Sequence, residues 1–471
     1  MNVSRRDRLR QDTRNEEHGT DRRPDVESAR PAPHTDTAAP GVPGDEVVEP
    51  GGAQRSWRIL QGLLHLGTFA ALRHREFRLL WAGQAATAMA MWMDQVARGW
   101  LIYELTNSPV QLGLVHGVQA IPILVLSPIA GSIADRYPRK QQVVVAQVLA
   151  GVMYAVLALL IMTGSIQPWH VYAAAFGIAI VQTFHQPARA AMVADAVPSD
   201  HLTNAIGLTS IMFNVARSTG PALAGVLIAT HGTASCYAVQ VGCYLLAIVW
   251  TLGLRPDASA TTNLRDRAAP VASFGQSIVE GWAFSWRNGA VRAGLLIMMC
   301  ASFFIVPFTT LLPVFARDLL GVGATGQGGL LTAMGLGALV SAVLLASCGD
   351  RLPRGILMLA GVTAYGLSVV AFAASSSFRL SLGLMTLVGL AHVSSHALVQ
   401  TVIQTYSPSA LRGRTMAIFH MSSVVLTLGS MLSGTLAALV GARWAVASMG
   451  AMGALLTLAI GVALPRTRLI R

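Results

Sequence analysis

One acidic side chain of this chain falls well inside a long apolar segment, and that side chain is Asp94. Arg98 follows one helical turn later, so an α-helix would place both on the same face. A carboxylate in such surroundings is expensive to bury and is usually functional. The pair could take up and release a proton as its helix changes exposure, or it could be a structural ion pair. We favour the first, because few other buried acids could carry a proton.

Further ionisable side chains lie in or near apolar segments, namely Arg217 and the histidines His116, His185, His392, His396 and His420. Arg217 could pair with Asp94, attract an anionic group of a ligand, or be a satisfied structural cation. His392 and His396 are four residues apart, as metal ligands on one helix face can be. Since no acidic residue or third ligand accompanies them, we expect no metal and no cofactor, and interpret them as part of a polar cavity. The predicted cavity residues are Trp92, Gln95, Gln119, Asn214, His392 and His396.

Membrane-spanning helices must position these residues. Hydrophobic residues make up 53% of the 471-residue chain and charged residues 12%, whereas soluble domains carry about 25% charged residues. Apolar stretches of about 20 residues match the thickness of the hydrocarbon core. We identify twelve, at residues 79–103, 110–134, 142–163, 169–185, 204–230, 234–254, 293–316, 327–348, 355–374, 380–402, 415–440 and 444–464. The sequence therefore predicts an all-α membrane protein with twelve transmembrane helices and no soluble enzyme domain.

The net charge of +12 arises mainly from loops on one predicted side of the membrane. From residue 73 onward, nineteen Lys and Arg residues lie on that side and three, Arg317, Arg379 and Arg443, on the other. Cytoplasmic loops carry such an excess. We therefore expect a multi-pass protein of the cell (inner) membrane with both termini in the cytoplasm. The lipid bilayer accounts for the charge, so we expect no nucleic-acid partner, and we expect a monomer.

The pentapeptide Asp-Arg-x-Pro-Arg occurs at residues 135–139 and again, 215 residues later, at residues 350–354. Each copy lies between two apolar segments, which indicates one unit used twice. A two-fold helical bundle in a membrane is the usual architecture of a secondary transporter. We expect two pseudo-symmetric six-helix bundles.

The composition divides the chain into five predicted parts. They are a disordered tail with a short amphipathic helix at residues 1–72, a first bundle at 73–254, a cytoplasmic linker at 255–291, a second bundle at 292–465 and a C-terminal tail at 466–471. Small residues line the fifth span and recur at every fourth position on two others, and such faces let two helices slide or rock against each other in lipid. They could also be ordinary static packing; we favour a moving interface. The residues at every fourth position are Gly329, Ala333, Gly337 and Ser341 on the eighth span and Gly429, Ser433, Ala437 and Gly441 on the eleventh.

The first copy of the pentapeptide lies in a stretch that resembles a motif of the major facilitator superfamily. Residues 131–140 read Gly-Ser-Ile-Ala-Asp-Arg-Tyr-Pro-Arg-Lys, similar to the family's G-x-x-x-D-R-x-x-R-[RK] between spans two and three, with Pro138 where many members have Gly. The resemblance implies a latch on the cytoplasmic side. Its predicted residues are Gly131, Asp135, Arg136, Arg139, Asp350, Arg351, Arg354 and Arg412.

The predicted fifth span is similar to the family's antiporter motif, G-x8-G-x3-G-P-x2-G-G. The matching residues are Gly207, Ala216, Gly220, Pro221, Ala224 and Gly225, with alanine in two glycine positions. In the family this motif marks exporters that exchange substrate for protons. Residues 92–108, 186–189 and 411–414 also resemble the branch that exports drugs, macrolides and enterobactin.

The leading hypothesis is a secondary active transporter that exports amphipathic small molecules, such as a drug, antibiotic, siderophore or other metabolite, by alternating access. Protons are the expected coupling ion, with Asp94, Arg98 and Arg217 as the coupling residues. One alternative keeps the fold but makes the protein an importer or facilitator of a small metabolite, with flux that persists without a proton gradient. Another is an intramembrane metalloenzyme built on His392 and His396, which metal analysis would test.

Overall fold

The computed structural model describes residues 69–255, 274–348, 353–465 and 467. Within these ranges all regular secondary structure is helical, which confirms the predicted all-α class. The predicted tail up to residue 68, about half of the linker (residues 256–273), part of the second pentapeptide and most of the predicted C-terminal tail lie outside the described residues.

Six long helices form what we call the first helix set. They are α1 (Arg75–Thr106), α2 (Pro109–Arg136), α3 (Arg139–Met162), α4 (Pro168–Asp195), α5 (Leu202–His231) and α6 (Thr233–Leu252). A shorter amphipathic helix, α7 (Phe274–Arg287), follows in the predicted linker. The second helix set comprises α8 (Gly289–Leu319), α9 (Gly323–Cys348), α10 (Arg354–Ala374), α11 (Phe378–Tyr406), α12 (Ser409–His420), α13 (Ser422–Val440) and α14 (Ala442–Ala463).

Ten helical segments of the described chain are long and apolar enough to cross a membrane, with α12 and α13 counted as one segment. Two other long helices, α1 and α4, do not reach the same hydropathy but coincide with predicted spans. Asp94 and Arg98 lower the hydropathy of α1, and His185 and Arg189 lower that of α4. A hydropathy threshold therefore passes over long helices that carry several polar side chains.

Two helices depart from the predicted bounds. The apolar run of the fourth span ends at residue 185, but α4 continues to Asp195 with Pro187 inside it. Hydropathy marks the apolar part of a helix and not the polar turns that extend it. In α8, Pro307 and Pro313 each remove a backbone donor, and the helix passes through π and 3-10 turns between Ala301 and Leu319.

The packing inside the two sets follows one pattern. Helix α2 packs on α4, and α3 packs on both α4 and α6. In the second set α9 packs on α11, and α10 packs on both α11 and α14. Each pairing therefore recurs at the matching place in the other set, as a repeated unit predicts.

The two sets meet where α5 packs on α9 and α2 on α13. A Cβ atom at Gly225 would lie 2.6 Å from the Ala324 carbonyl oxygen, and one at Gly434 would lie 2.5 Å from the Pro109 carbonyl oxygen. The backbones therefore touch directly, which larger side chains would prevent.

The small faces predicted on α9 and α13 pack inside the second set instead. A Cβ atom at Gly337 would overlap the Thr386 carbonyl oxygen of α11, and one at Gly429 would overlap the Phe303 carbonyl oxygen of α8. Successive side chains of an α-helix are offset by about 100° around the helix axis. The glycines that face the first set therefore come from another face of the same helices.

The boundary between the sets is closed at one end. There the Tyr103 hydroxyl of α1 donates a hydrogen bond to the Asp318 carboxylate of α8, and the Arg317 guanidinium lies 5.5 Å from the centre of the Tyr103 ring. Large apolar side chains, among them Val125 of α2, Ile211 of α5 and Val343 of α9, are exposed nearer the other end of these helices. We call the end that contains Tyr103 and Asp318 the closed end.

Replacing Gly389 by alanine should lower the melting temperature of the purified protein in detergent. Its added methyl group would overlap the Met334 carbonyl oxygen, and overpacking of this kind costs about 1–3 kcal/mol. Gly383→Ala is the matched control, because it lies on the same helix with no atom within 4 Å of the new Cβ. It should melt at the wild-type temperature or above. Equal melting of both variants would contradict the described contact between α9 and α11.

Candidate functional site

Asp94 and Arg98 form a buried ion pair on α1. The Arg98 guanidinium lies 3.0 Å from the Asp94 carboxylate, and the two side chains are 15% and 4% exposed respectively. The second carboxylate oxygen of Asp94 is buried and has no hydrogen-bond partner within the described structure. Buried acceptors are normally satisfied by protein or water. The Tyr154 hydroxyl also interacts with this carboxylate as a hydrogen-bonding group, and a proton or a water molecule on the second oxygen would satisfy it.

Three buried tyrosines surround Asp94. Tyr154 of α3 stacks on Tyr237 and Tyr244 of α6, with ring centroids 6.0 and 5.5 Å apart, and all three interact electrostatically with Asp94. The Gln182 amide donates to the Tyr244 hydroxyl at 3.4 Å. Sequence reasoning missed this cluster. The available signal was the seven-residue spacing of Tyr237 and Tyr244, which places both on one face of an apolar helix.

Arg98 also lines a small polar cavity between the two sets. The cavity measures about 30 Å³, which is room for about one water molecule. Gln95 contributes to it from α1 and Gln327 from α9. The Gln119 amide, oriented with its oxygen toward Arg98, accepts a hydrogen bond from the guanidinium. Two predicted cavity residues, Gln95 and Gln119, are thus placed beside the ion pair.

Arg217 does not pair with Asp94, whose partner is Arg98. Its guanidinium instead lies over the Trp92 ring, 5.5 Å from the ring centre, as a cation–π contact. It also interacts electrostatically with Tyr365 and His392 of the second set. The three predicted coupling residues are therefore not together. Asp94 and Arg98 form an ion pair, whereas Arg217 lies apart from them at the boundary between the two helix sets.

His392 and His396 lie on one face of α11 with ring centroids 6.3 Å apart. The Tyr365 ring packs against His392 at 5.1 Å, and the Phe419 ring packs against His396 at 5.1 Å. In the part of the chain that the structure describes, no three His, Cys, Asp or Glu residues are close enough to hold a metal ion.

The antiporter-motif residues explain how closely α5 approaches its neighbours. A Cβ atom at Gly220 would lie 2.8 Å from that of Trp92, so α5 contacts α1 there and contacts α9 at Gly225. Gly207 has no neighbour within 4 Å of an added Cβ. Asn214, a predicted cavity residue, donates to the Ser210 carbonyl oxygen of its own helix at 2.9 Å.

The predicted latch is described only in part. Asp350 and Arg351 lie outside the described residues, as do the side chains of Asp135 and Arg136. Arg139 pairs with Asp195 at the end of α4. This partner could not be foreseen, because the sequence indicated a loop where α4 continues.

The remaining latch residues occupy the same end of the helices. Gly131 lies near the end of α2, Arg354 begins α10 and Arg412 is exposed on α12. A further ion pair joins Arg414 of α12 to Glu280 of α7. The latch itself stays a prediction.

Sequence comparison finds related transporters along most of the chain. Residues 66–469 match the profile of the family described as transmembrane secretion effector. Similar proteins include the staphyloferrin A transporter of Staphylococcus aureus, 25% identical over 72% of this chain and 84% of that protein. The multidrug efflux pump Tap of Mycolicibacterium fortuitum is 26% identical over 79% and 91% of the two chains. Macrolide efflux protein A of Streptococcus pyogenes is 24% identical over 84% and 96%.

Solved structures share the fold. A bacterial homolog to the human lysosomal transporter Spinster, in an inward-facing and unoccupied conformation, aligns with a TM-score of 0.67 at 15% identity over 84% of this chain and 98% of that one. The nucleoside transporter NupG aligns with a TM-score of 0.64 at 12% identity over 83% and 98% of the two chains.

Breaking the buried ion pair should destabilise the protein more than removing it. Asp94→Leu or Arg98→Met alone leaves one charge buried without its partner, which costs about 3–5 kcal/mol. The double variant removes both charges and should melt at a higher temperature than either single variant. Melting in detergent measures this, and strictly additive losses would show that the two side chains are not coupled.

Proposed function

Because the chain belongs to the transmembrane secretion effector family of the major facilitator superfamily, we propose that it exports amphipathic small molecules in exchange for protons. The family and its relatives are multi-pass membrane transporters and not enzymes. That finding sets aside the intramembrane metalloenzyme. Proton coupling and direction form the part that we propose.

The proposed architecture is twelve spans in two six-helix bundles, at residues 73–254 and 292–465. It is supported by the coincidence of α1 and α4 with predicted spans and by the pairings that recur in the second helix set. Rocking of one bundle against the other would open the closed end and close the opposite one, so that the boundary is reached from each side in turn.

The proposed orientation places both termini in the cytoplasm of a bacterial cell. It rests on the arginine bias of the loops. Because α1 then runs outward from Arg75, the closed end with Tyr103 and Asp318 faces outside. A conformation closed at this end and open at the other would be inward-facing.

The observation that carries proton coupling is the buried carboxylate of Asp94, with one oxygen on Arg98 and the other unpartnered. A proton on the free oxygen would remove the counter-charge of Arg98. Arg98 lines the polar cavity against the second set, so the electrostatics of the boundary would then change. Substrate release and proton uptake would be linked through that change.

The relatives support an amphipathic substrate that is exported. Two are named as efflux proteins, for several drugs and for macrolides. The staphyloferrin A transporter carries no direction in its name. Export is therefore proposed, with an importer or facilitator of a small metabolite as the alternative.

Asp94→Asn should abolish efflux driven by a pH gradient in proteoliposomes while the protein still inserts and folds. The amide keeps the shape of the side chain but cannot release a proton. Asp200→Asn, on an exposed turn, is the matched control and should transport as the wild type does. A compound panel that includes macrolides and siderophores supplies the substrate.

Full activity of Asp94→Asn would remove the coupling role from this residue. Wild-type flux that persists unchanged when the proton gradient is collapsed would favour the importer or facilitator.

A further inference from the structure

The boundary holds a partly buried cation, Arg217, without a counter-charge among the described residues. Within the described residues no carboxylate pairs with Arg217, because Asp94 is held by Arg98. The groups that interact with Arg217 are the Trp92 ring on its own side and Tyr365, His392 and His396 across the boundary. A charge in the interior of a membrane protein is costly unless an opposite charge compensates it.

The neighbours of Arg217 offer donors that have no acceptor. Tyr365 is only 1% exposed. Its hydroxyl group is buried and has no hydrogen-bond partner within the described structure. The indole nitrogen of Trp92 is buried and unpartnered as well. An indole N–H can only donate, and a guanidinium carries five donors and no acceptor. An apolar ligand would leave these groups unsatisfied, which costs free energy.

We propose that these groups form a binding site for an oxyanion, a carboxylate or phosphate group carried by the transported molecule. We call it the oxyanion site and define it as Trp92, Arg217, Tyr365, His392 and His396. The assignment of the anion to a transported molecule rests on the proposed function. An oxyanion would supply both the missing charge and the missing acceptors.

The chemistry of these groups suits an oxyanion. The Arg217 guanidinium lies 5.5 Å from the centre of the Trp92 ring, and a guanidinium can bind two oxygens of one anion in a bidentate contact. Tyr365 and His392, whose rings pack 5.1 Å apart, can donate from the opposite wall. The indole face and the apolar side chains beside His396, such as Met298 and Val399, would cover the hydrophobic part of an amphipathic molecule.

The oxyanion site also joins the two helix sets. Trp92 and Arg217 come from α1 and α5, whereas the other three residues come from α10 and α11. Ser218, the neighbour of Arg217, lies against Gly335 of α9, where an added Cβ would be 2.8 Å from the Ser218 Cα atom. An anion bound here would bridge both sets beside their backbone contact, and its presence would favour their approach.

Binding can be tested on the full-length protein purified in a neutral detergent without phospholipid. The probe is 2-naphthoate, and 2-naphthamide is the uncharged molecule of the same shape. We expect naphthoate to raise the melting temperature in a saturable way and naphthamide to leave it unchanged. Equal stabilisation by both would show that only the aromatic rings are bound and would overturn the proposal.

Single substitutions test whether naphthoate binds at the oxyanion site. Arg217→Gln should abolish the naphthoate effect, and Tyr365→Phe, which keeps the ring and the fold, should weaken the apparent affinity about tenfold. The control Arg379→Gln removes an exposed arginine from the first turn of α11 and should bind as the wild type does. If Arg217→Gln folds poorly, Arg217→Lys keeps the charge without the planar fork and should bind more weakly. Unchanged binding in Tyr365→Phe and in whichever Arg217 variant folds would overturn the site.

Two further experiments are needed. One tests whether the bound anion is a lipid headgroup, and the other tests the oxyanion site separately from the proposed function. Phosphatidylglycerol is added to the micelles as a competitor. If it displaces naphthoate and its own binding is lost in Arg217→Gln, the site holds a lipid headgroup and the substrate assignment is wrong. If naphthoate binds as expected but proteoliposomes transport nothing, the proposed function fails while the site stands. If they transport naphthoate equally well with Arg217→Gln, the oxyanion site fails while the proposed function stands.

Discussion

The carboxylate of Asp94 has to be kept away from hydrocarbon, and the first helix set is arranged around that requirement. Arg98 neutralises one oxygen from the next helical turn, and three tyrosines from α3 and α6 pack around the pair. Polar side chains that satisfy a buried charge must come from several helices at once, because each helix offers only one face. The same polarity makes α1 less apolar than its neighbours.

The boundary between the sets is built on a different principle. In lipid, apolar surface alone gives helices no reason to associate, so backbone contacts at small residues dominate. Gly225 and Gly434 provide them on α5 and α13, and these contacts carry no charge. They can separate without leaving an ion unpaired, whereas separation inside the first set would expose Asp94. The boundary is therefore the part of the molecule that can open at least cost.

The sequence predicted local geometry well and partners across space poorly. The helix class and the Asp94–Arg98 contact follow from hydropathy and from a spacing of four residues, which are properties of one segment. The partner of Arg217 depends on how α5 is rotated against α1, and no spacing in the sequence records that angle. For the same reason the spacing of four identified the small faces of α9 and α13 but could not indicate that they pack inside the second set.

The two cations of the first set define separate positions along the boundary. Arg98 is neutralised by Asp94 and touches a cavity sized for water, whereas Arg217 has no carboxylate partner among the described residues and interacts electrostatically with Tyr365, His392 and His396. The proposed exchange of a proton for an organic anion needs sites that do not neutralise each other. Because Arg98 holds Asp94, Arg217 stays available to an anion. Proton and substrate can then communicate through the position of the two sets and need no direct contact.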